Sequence, residues 1–349
     1  MKRTRRSKRV TRKGGKFIYR GSFGCAFKPA IQCDGTRKNG YISKVMSLAN
    51  AKDEYKRVEP LKSIDPNFDY FVYPDEICNH PEFTAENKLK NCALNFPNGK
   101  VLLFSPDGGY NLSQVTLPGD LDSSFDDLML NINRLFRGLQ LLHQNGYTHN
   151  DIKPDNIVVK YSDTDSYSMM RFIDFGLMSK ITENTHTISN GTPLYIPLDN
   201  YFLNDNPIHL KTLVQNFYTM LVSATSLNII PPGIVLFWKN CLDTWDNGTG
   251  NNLLNTYYTI QKSEEIRIHI LKQRDVYALA ITIYNLIKQC KEKIVKGKNQ
   301  IINTKKIADF DNYTKSTIEI LTKMMHPDPF WRIGLDDSLK QFGGLWEKF

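Results

Sequence analysis

The chain has 349 residues and is 41% hydrophobic, which is enough to bury a sizeable core and to form two lobes with additions. It contains no apolar run of about 18 residues and no apolar signal region at its N-terminus, so we expect a soluble, non-secreted chain without a membrane span. The six cysteines show no C-x-x-C spacing, which makes a disulfide framework or a zinc site unexpected and favours a reducing compartment.

The net charge of +9 lies entirely in residues 1–16, which carry nine Lys and Arg side chains and no acidic residue. Such a block repels itself and cannot bury apolar surface, so a disordered basic tail is predicted. It could act as a nuclear-import signal, a nucleic-acid-binding arm or a substrate-docking arm. A solvated tail without a specific partner is the alternative.

A strand-like pattern begins at Phe17 and leads into residues 19–26, with the sequence YRGSFGCA. Gly21 and Gly24 would let the backbone approach phosphate groups closely, with Ser22 at the tip of the turn. The alternative is an ordinary hairpin turn, because two glycines at this spacing are a weak signal.

The next predicted strand is residues 41–46 (YISKVM), which alternates in polarity and contains Lys44. A helix is predicted around Glu54. It should be short or broken, because Pro60 disfavours a helix that continues past Glu59.

Residues 101–105 (VLLFS) have the composition of a buried strand, and residues 106–109 (PDGG) break it. A long amphipathic helix is predicted over residues 124–145 and ends at an Asn-Gly stop. Its apolar residues recur at three- and four-residue spacings: Leu128, Ile132, Leu135, Phe136, Leu139 and Leu142.

Two polar segments follow this helix, residues 149–156 (HNDIKPDN) and residues 172–176 (FIDFG). Four of their side chains, those of Asp151, Lys153, Asn156 and Asp174, place two carboxylates, one amide and one ammonium at fixed offsets, a grouping suited to holding metal-bound phosphate. The alternative is that the Asx residues and Pro154 only form a turn between a helix and a strand.

The side chains of these segments suggest separate roles. Asp151 could accept a proton from an attacking hydroxyl, and Lys153 could neutralise charge on the group being transferred. Asn156 and Asp174 supply hard oxygen ligands, which suit magnesium with its waters and substrate phosphates.

The two segments resemble the catalytic loop and the metal-binding Asp-Phe-Gly motif of eukaryotic-type protein kinases. Residues 21–29 (GSFGCAFKP) are similar to kinases of large DNA viruses. The resemblance covers about residues 17–345 and implies ATP and Mg²⁺ as cofactors and Ser or Thr side chains of proteins as acceptors.

The resemblance also implies a nucleotide site. Lys44 stands where the family has its phosphate-pairing lysine and would pair with Glu54, with Glu59 as the alternative partner. Tyr19 stands where the family has its first loop glycine. The other nucleotide-binding positions that the resemblance implies are Gly21, Ser22, Gly24, Ala26, Ile42 and Leu103.

The implied fold is α+β and two-lobed, with a small β-rich N-lobe at residues 17–106 and a larger helical C-lobe at residues 107–349. The stretch between Asp199 and Asp275 is longer than the family needs, and residues 200–272 within it are interpreted as a helical insertion. Asp275 would start the central helix of the C-lobe and brace the backbone of the catalytic loop.

Further positions carry over by resemblance. His149 would brace the phenylalanine of the Asp-Phe-Gly motif, and Thr192 would tie the catalytic aspartate to its lysine. Asp199 would form a buried ion pair with Arg332. Asn150 replaces the arginine that receives an activation-loop phosphate in regulated kinases, which predicts activity without loop phosphorylation.

The function predicted from these residues is transfer of the γ-phosphate of ATP to Ser or Thr of a protein substrate. A kinase-fold enzyme acting on a small molecule and a non-catalytic kinase-like scaffold are the alternatives. We expect an intracellular location, in the cytoplasm or nucleus of a host cell or in a virion. The sequence leaves the oligomeric state and the partner of the basic tail open.

Overall fold

A computed structural model describes residues 15–21, 24–36, 38–79, 81, 92, 100–114, 121–161, 168–182, 193–201, 210–226, 229–243, 263–296 and 304–346. The fold is α+β, with a β-sheet-rich N-terminal part and a helical C-terminal part, as the sequence predicts. The chain forms two compact units. The first comprises Met1–Ser63 and Val72–Asp107, and the second comprises Ile64–Phe71 and Gly108–Phe349.

In its described residues, the first unit is an antiparallel sheet with one long helix. The strands have the order β1-β2-β3-β5-β4. Helix α1 begins where β3 ends, because the Ser47 side chain caps it by accepting from the Asn50 N–H. The bounds are β1 Lys16–Arg20, β2 Gly24–Lys28, β3 Tyr41–Ser47, α1 Leu48–Arg57, α2 Leu61–Ile64, β4 Glu76–Cys78 and β5 Lys100–Pro106.

The two faces of this sheet bury different residues. Ala26, Lys44 and Leu103 stand opposite one another on β2, β3 and β5, so their side chains share one face. On that face Met46, Ala51, Val101 and Leu103 form a buried cluster beneath α1. The opposite face carries a second buried cluster that includes Cys25, Phe27, Ala30, Ile31, Val45, Cys78, Cys92, Leu102 and Phe104.

Two disulfides lie in the first unit, so the expectation of no disulfide framework is wrong. Cys25 is bonded to Cys92 and Cys33 to Cys78, with Cα–Cα distances of 5.7 and 6.2 Å. The partners are 67 and 45 residues apart in sequence, so no short spacing motif reveals them. Cys25, Cys78 and Cys92 belong to the buried cluster on the face opposite α1, and Cys33 packs against it.

The second unit combines two small sheets with helices. β6, β8 and β9 form one sheet, and β7 pairs with β10 in the other. The strands and first helix are β6 Tyr110–Asn111, α3 Leu121–Gln144, β7 Tyr147–Thr148, β8 Ile157–Tyr161, β9 Ser168–Phe172 and β10 Ser179–Lys180. The later helices are α4 Leu198–Tyr201, α5 Leu210–Ser226, α6 Pro232–Asp243, α7 Glu264–Lys296, α8 Thr304–Met324 and α9 Leu335–Trp346.

Side chains of α3 satisfy the outer edge of β9, the strand that leads to Asp174. The Asp127 carboxylate accepts from Ser168 N at 2.7 Å, and Asn131 Oδ1 accepts from Met170 N at 2.6 Å. Phe172 N donates to Tyr70 O at 3.0 Å. Every second N–H of the edge therefore has a partner, which fixes the register of β9.

Helix α7 begins at Glu264, eleven residues before Asp275, so the expectation that Asp275 starts this helix is wrong. The sequence from Glu264 to Asp275 contains no Pro or Gly that would stop the helix, and two glutamates occupy its first turn. Helices α5 and α6 lie in the stretch interpreted as an insertion and pack through Phe217 and Trp238, whose ring centroids are 5.7 Å apart.

Among the described residues, no helix has the length and apolar character that a membrane span requires.

The disulfides predict a reductant-sensitive first unit. Reduction should lower the free energy of unfolding by about 4 kcal/mol for each bond, because the cross-links restrict the unfolded chain. Urea denaturation with and without dithiothreitol measures the change, and Cys290→Ser is the control because Cys290 is in neither pair. Denatured, unreduced protein should expose four fewer reactive thiols than reduced protein; equal numbers would contradict the two bonds.

The two glycines of the β1–β2 turn should differ in their tolerance of alanine. A Cβ on Gly24 would lie 2.6 Å from Val45 O and 2.8 Å from Met46 Cγ, whereas one on Gly21 would have 3.5 Å to its nearest neighbour. Gly24→Ala should therefore destabilise the fold by about 1–3 kcal/mol through overpacking. Gly21→Ala should change stability by less than about 1 kcal/mol. Chemical denaturation compares the two, and equal losses would show that β2 does not pack this closely on β3.

Candidate active site

The first unit contains the ion pair expected between Lys44 and Glu54. Lys44 Nζ lies 2.9 Å from Oε1 and 2.8 Å from Oε2 of Glu54, whose side chain is largely buried. The pair forms because β3 runs directly into α1, so Glu54 faces the strand two turns into the helix. The alternative partner Glu59 binds Lys62 instead, at 2.8 Å.

Three other residues of the first unit that are predicted to bind nucleotide lie near this pair. Ala26 and Leu103 are the cross-strand neighbours of Lys44, and Ile42 is on the same face of β3. Gly21 N donates to Gly24 O at 2.8 Å, which closes the turn between β1 and β2. Ser22 lies outside the described residues. Gly24 has a packing role that the sequence did not reveal, because β3 leaves no room for a side chain there.

The catalytic-loop candidates of the second unit form a hydrogen-bonded group. Lys153 Nζ and Asn156 Nδ2 each lie 2.8 Å from Oδ2 of Asp151. Asn156 Nδ2 also donates to the backbone oxygen of Asp151. The other carboxylate oxygen, Oδ1, is buried and has no hydrogen-bond partner among the described residues. One oxygen is thus held in place while the other is left as an acceptor.

Asp174 follows β9 in a left-handed conformation, with φ 60° and ψ 69°. This conformation is uncommon outside glycine, although aspartate is one of the residues that tolerate it. Ile173 N donates to Asn156 O at 2.9 Å, which ties the Asp174 segment to the catalytic loop. At Gly176 a Cβ would lie 3.3 Å from Oδ1 of Asp174, so a small residue is favoured after Phe175.

Asn156 and Asp174 could hold a divalent cation. Their amide and carboxylate oxygens are the ligand types that Mg²⁺ prefers, and the amide nitrogen of Asn156 is already used by Asp151. The remaining acceptor of that side chain is its oxygen. The donor set therefore fits magnesium better than zinc, which favours nitrogen and sulfur ligands.

Aromatic rings support the segment around Asp174. The Phe175 ring is buried, with its centroid 4.9 Å from that of His149 and 5.5 Å from that of Phe71. His149 Nε2 lies 3.1 Å from Ile173 O. His149 therefore packs against the motif phenylalanine, as the resemblance implied.

Asp275 holds the backbone of the catalytic loop from the middle of α7. Its buried carboxylate accepts from His149 N at 2.7 Å and from Asn150 N at 2.8 Å. Burial opposes ionisation, but the hydrogen bond and charge of His143, followed by the charge and backbone N–H of His149, lower the pKa of the Asp275 carboxyl. Asp275 therefore stays an anionic acceptor at neutral pH.

Sequence reasoning missed two residues that support the site. His143, in the last turn of α3, has its Nε2 3.1 Å from Oδ2 of Asp275. Asp65 is buried, and its carboxylate accepts from the backbone N–H groups of Asp69, Tyr70 and Phe71. The Asp-Pro dipeptide at Asp65 was the available signal, since aspartate often caps a turn through nearby N–H groups.

Two expected interactions fall outside what the structure describes. The expected contact of Thr192 with Asp151 and Lys153 and the expected ion pair of Asp199 with Arg332 involve Thr192 and the Asp199 side chain, which lie outside the described part of the chain. Arg332 is buried, with Nε donating to His326 O at 2.9 Å and its guanidinium over the Tyr277 ring at 5.4 Å.

Residues 122–200 match the model of the protein kinase domain, a span that runs from α3 to α4 and includes Asp151, Lys153, Asn156 and Asp174.

Similar proteins are serine/threonine kinases. The chain is 28% identical over 177 residues to the ovarian-specific serine/threonine-protein kinase Lok of Drosophila melanogaster, covering 48% of this chain and 33% of that protein. It is 27% identical over 170 residues to the MAP kinase kinase kinase SSK2 of Saccharomyces cerevisiae, covering 48% and 9%. It is 35% identical over 65 residues to the serine/threonine-protein kinase GL21140 of Drosophila persimilis, covering 19% and 8%.

The chain thus spans a third or less of the length of these relatives. With the α+β fold, the match over residues 122–200 supports a protein-kinase-like fold, and relatives at modest identity are serine/threonine kinases.

Proposed function

We propose that the protein is an ATP-dependent kinase that phosphorylates Ser or Thr in protein substrates. The observation that carries this proposal is the environment of Asp151. Its Oδ2 is held by Lys153 and Asn156, while its Oδ1 is buried without a partner among the described residues. An acceptor oriented in this way is what a substrate hydroxyl needs.

In the proposed reaction, the hydroxyl of the substrate donates its proton to Oδ1 of Asp151. The hydroxyl oxygen forms a bond to the γ-phosphorus, and the bond between that phosphorus and the β–γ bridging oxygen breaks, releasing ADP. Lys153, whose ammonium lies 2.8 Å from Asp151, would stabilise negative charge on the transferred phosphoryl group.

Residues of the first unit would bind ATP. The Lys44 ammonium, held by both oxygens of Glu54, is the group for the phosphates. Ala26 and Ile42 offer apolar surface for adenine on one face of the sheet, and Leu103, on the same face, is fully buried.

Asn156 and Asp174 would hold Mg²⁺. When bound, the cation would neutralise negative charge on the ATP phosphates. The N–H of Ile173 bonded to Asn156 O keeps the two residues together whether or not the cation is bound.

The choice of Ser or Thr as acceptor is supported by the names of the relatives and by Lys153, which stands two residues after Asp151. The proposal has three further parts. They are a likeness to kinases of large DNA viruses, an intracellular location, and binding of nucleic acid or an import receptor by residues 1–16. They are supported by the sequence of residues 21–29 and by the tail's charge.

Incubation with labelled ATP, Mg²⁺ and a mixed protein substrate tests the function. The wild-type chain should label Ser and Thr. Asp151→Asn should lower the rate by at least about a hundredfold, because it removes the base, while nucleotide binding persists. Asp311→Asn, which changes an exposed carboxylate paired with Lys291, is the matched control and should retain the wild-type rate.

Other outcomes of the assay separate the alternatives. Label found only on small molecules would indicate a small-molecule phosphotransferase. A folded chain that binds no nucleotide would indicate a scaffold, and equal rates for wild type and Asp151→Asn would contradict the assigned base.

Activity should not require phosphorylation of the segment after the Asp-Phe-Gly motif, because Asn150 cannot pair with a phosphate as arginine does. Replacement of Thr182, Thr185, Thr187 and Ser189 by Ala should leave kcat within about twofold of the wild-type value. Steady-state assays of the purified quadruple variant measure this. Loss of activity would show that a phosphate on this segment is needed.

A further inference from the structure

The Asn150 side chain connects two segments of the active site. Its Nδ2 donates to Leu177 O and to Ser179 Oγ, both at 2.9 Å. Leu177 and Ser179 follow the Asp-Phe-Gly motif, and Ser179 begins β10. Asn150 itself immediately precedes Asp151, so its amide joins the catalytic loop to the segment that follows Asp174.

The backbone of Asn150 is also held on both sides. Its N–H donates to Asp275 Oδ1 at 2.8 Å, and its carbonyl accepts from Arg274 at 2.8 Å. Its φ of 66° lies in the left-handed region, which asparagine tolerates better than most residues. This conformation turns the chain between His149 and Asp151.

The arrangement is not optimised for stability alone. The Asn150 Oδ1 atom is buried and has no hydrogen-bond partner among the described residues, and an unsatisfied buried acceptor costs free energy. A left-handed non-glycine residue adds to that cost. In the described part of the chain, the only strong hydrogen bonds of the side chain are those to Leu177 and Ser179. The link between the catalytic loop and β10 is therefore what offsets these costs.

We propose that Asn150 is a positioning residue that fastens the catalytic loop to β10 and so orients Asp151 without a phosphate on the neighbouring segment. In this arrangement, two neutral amide hydrogen bonds do what a phosphate paired with arginine does by charge. The connection is present in the unmodified chain. This inference rests on the proposed kinase function, which it deepens by assigning a mode of regulation.

Two substitutions test the role of the Asn150 side-chain amide separately from the role of its backbone conformation. Asn150→Asp keeps the size and the tolerance of φ 66° but replaces the donor by an acceptor facing Leu177 O. Asn150→Gly keeps the left-handed backbone and removes the side chain. Asn285→Asp is the matched control, because Asn285 Nδ2 also donates to a backbone oxygen, that of Ile281, within α7.

Both Asn150 variants should lower kcat about tenfold or more while KM for ATP changes less than about twofold, because the loss affects Asp151 and not the nucleotide residues. Amide hydrogen exchange of residues 177–181 should become about tenfold faster in the same variants. Phosphatase treatment of the wild-type chain should leave kcat unchanged. The Asn285→Asp control should match the wild type in every readout.

An active wild-type chain whose Asn150 variants keep normal kcat would overturn the inference, as would a wild-type kcat that falls on phosphatase treatment. A wild-type chain that transfers no phosphate would overturn the proposed function, and the exchange rates would then report whether the connection exists. If Asn150→Asp fails to fold, Asn150→Gly and Ser179→Ala, which removes one acceptor, provide the same comparison.

Discussion

The second unit depends on one buried carboxylate, that of Asp275. It accepts from two consecutive backbone N–H groups of the catalytic loop and from the His143 ring, and so connects α7, the loop and the end of α3. Because the carboxylate is fully buried, loss of any one donor would leave its charge less fully compensated. The left-handed turn at Asn150 and the placement of Asp151 both follow from this anchor.

A second set of contacts brings the two polar segments of the site together. Asp127 and Asn131 bind the outer edge of β9, and Ile173 N then reaches Asn156 O. The strand register thereby determines where Asp174 falls relative to the loop. Asp174 is thus positioned by backbone hydrogen bonds on either side of the site, which favours a single arrangement.

The sequence predicted the features that depend on local pattern. The helix through Leu128 and Leu142 and the strand around Lys44 are short-range features that hydrophobic periodicity determines. The pairing of Lys44 with Glu54 was implied by the resemblance to kinases. The disulfides, the roles of Asp65 and His143, and the packing of Gly24 depend on contacts distant in sequence. No spacing rule predicts which distant residues meet in the folded chain, so these features are visible only in the structure. The resemblance placed the start of α7 at Asp275, whereas the helix begins at Glu264 because nothing between the two residues stops it.

The two disulfides affect how damage to the chain can be detected. Cys25 and Cys92 enclose most of the first unit, including β3 and α1. A protease that cuts anywhere between them would leave both fragments covalently joined. Nicked, oxidised protein would therefore migrate as one species on a denaturing gel and separate into two bands only after reduction.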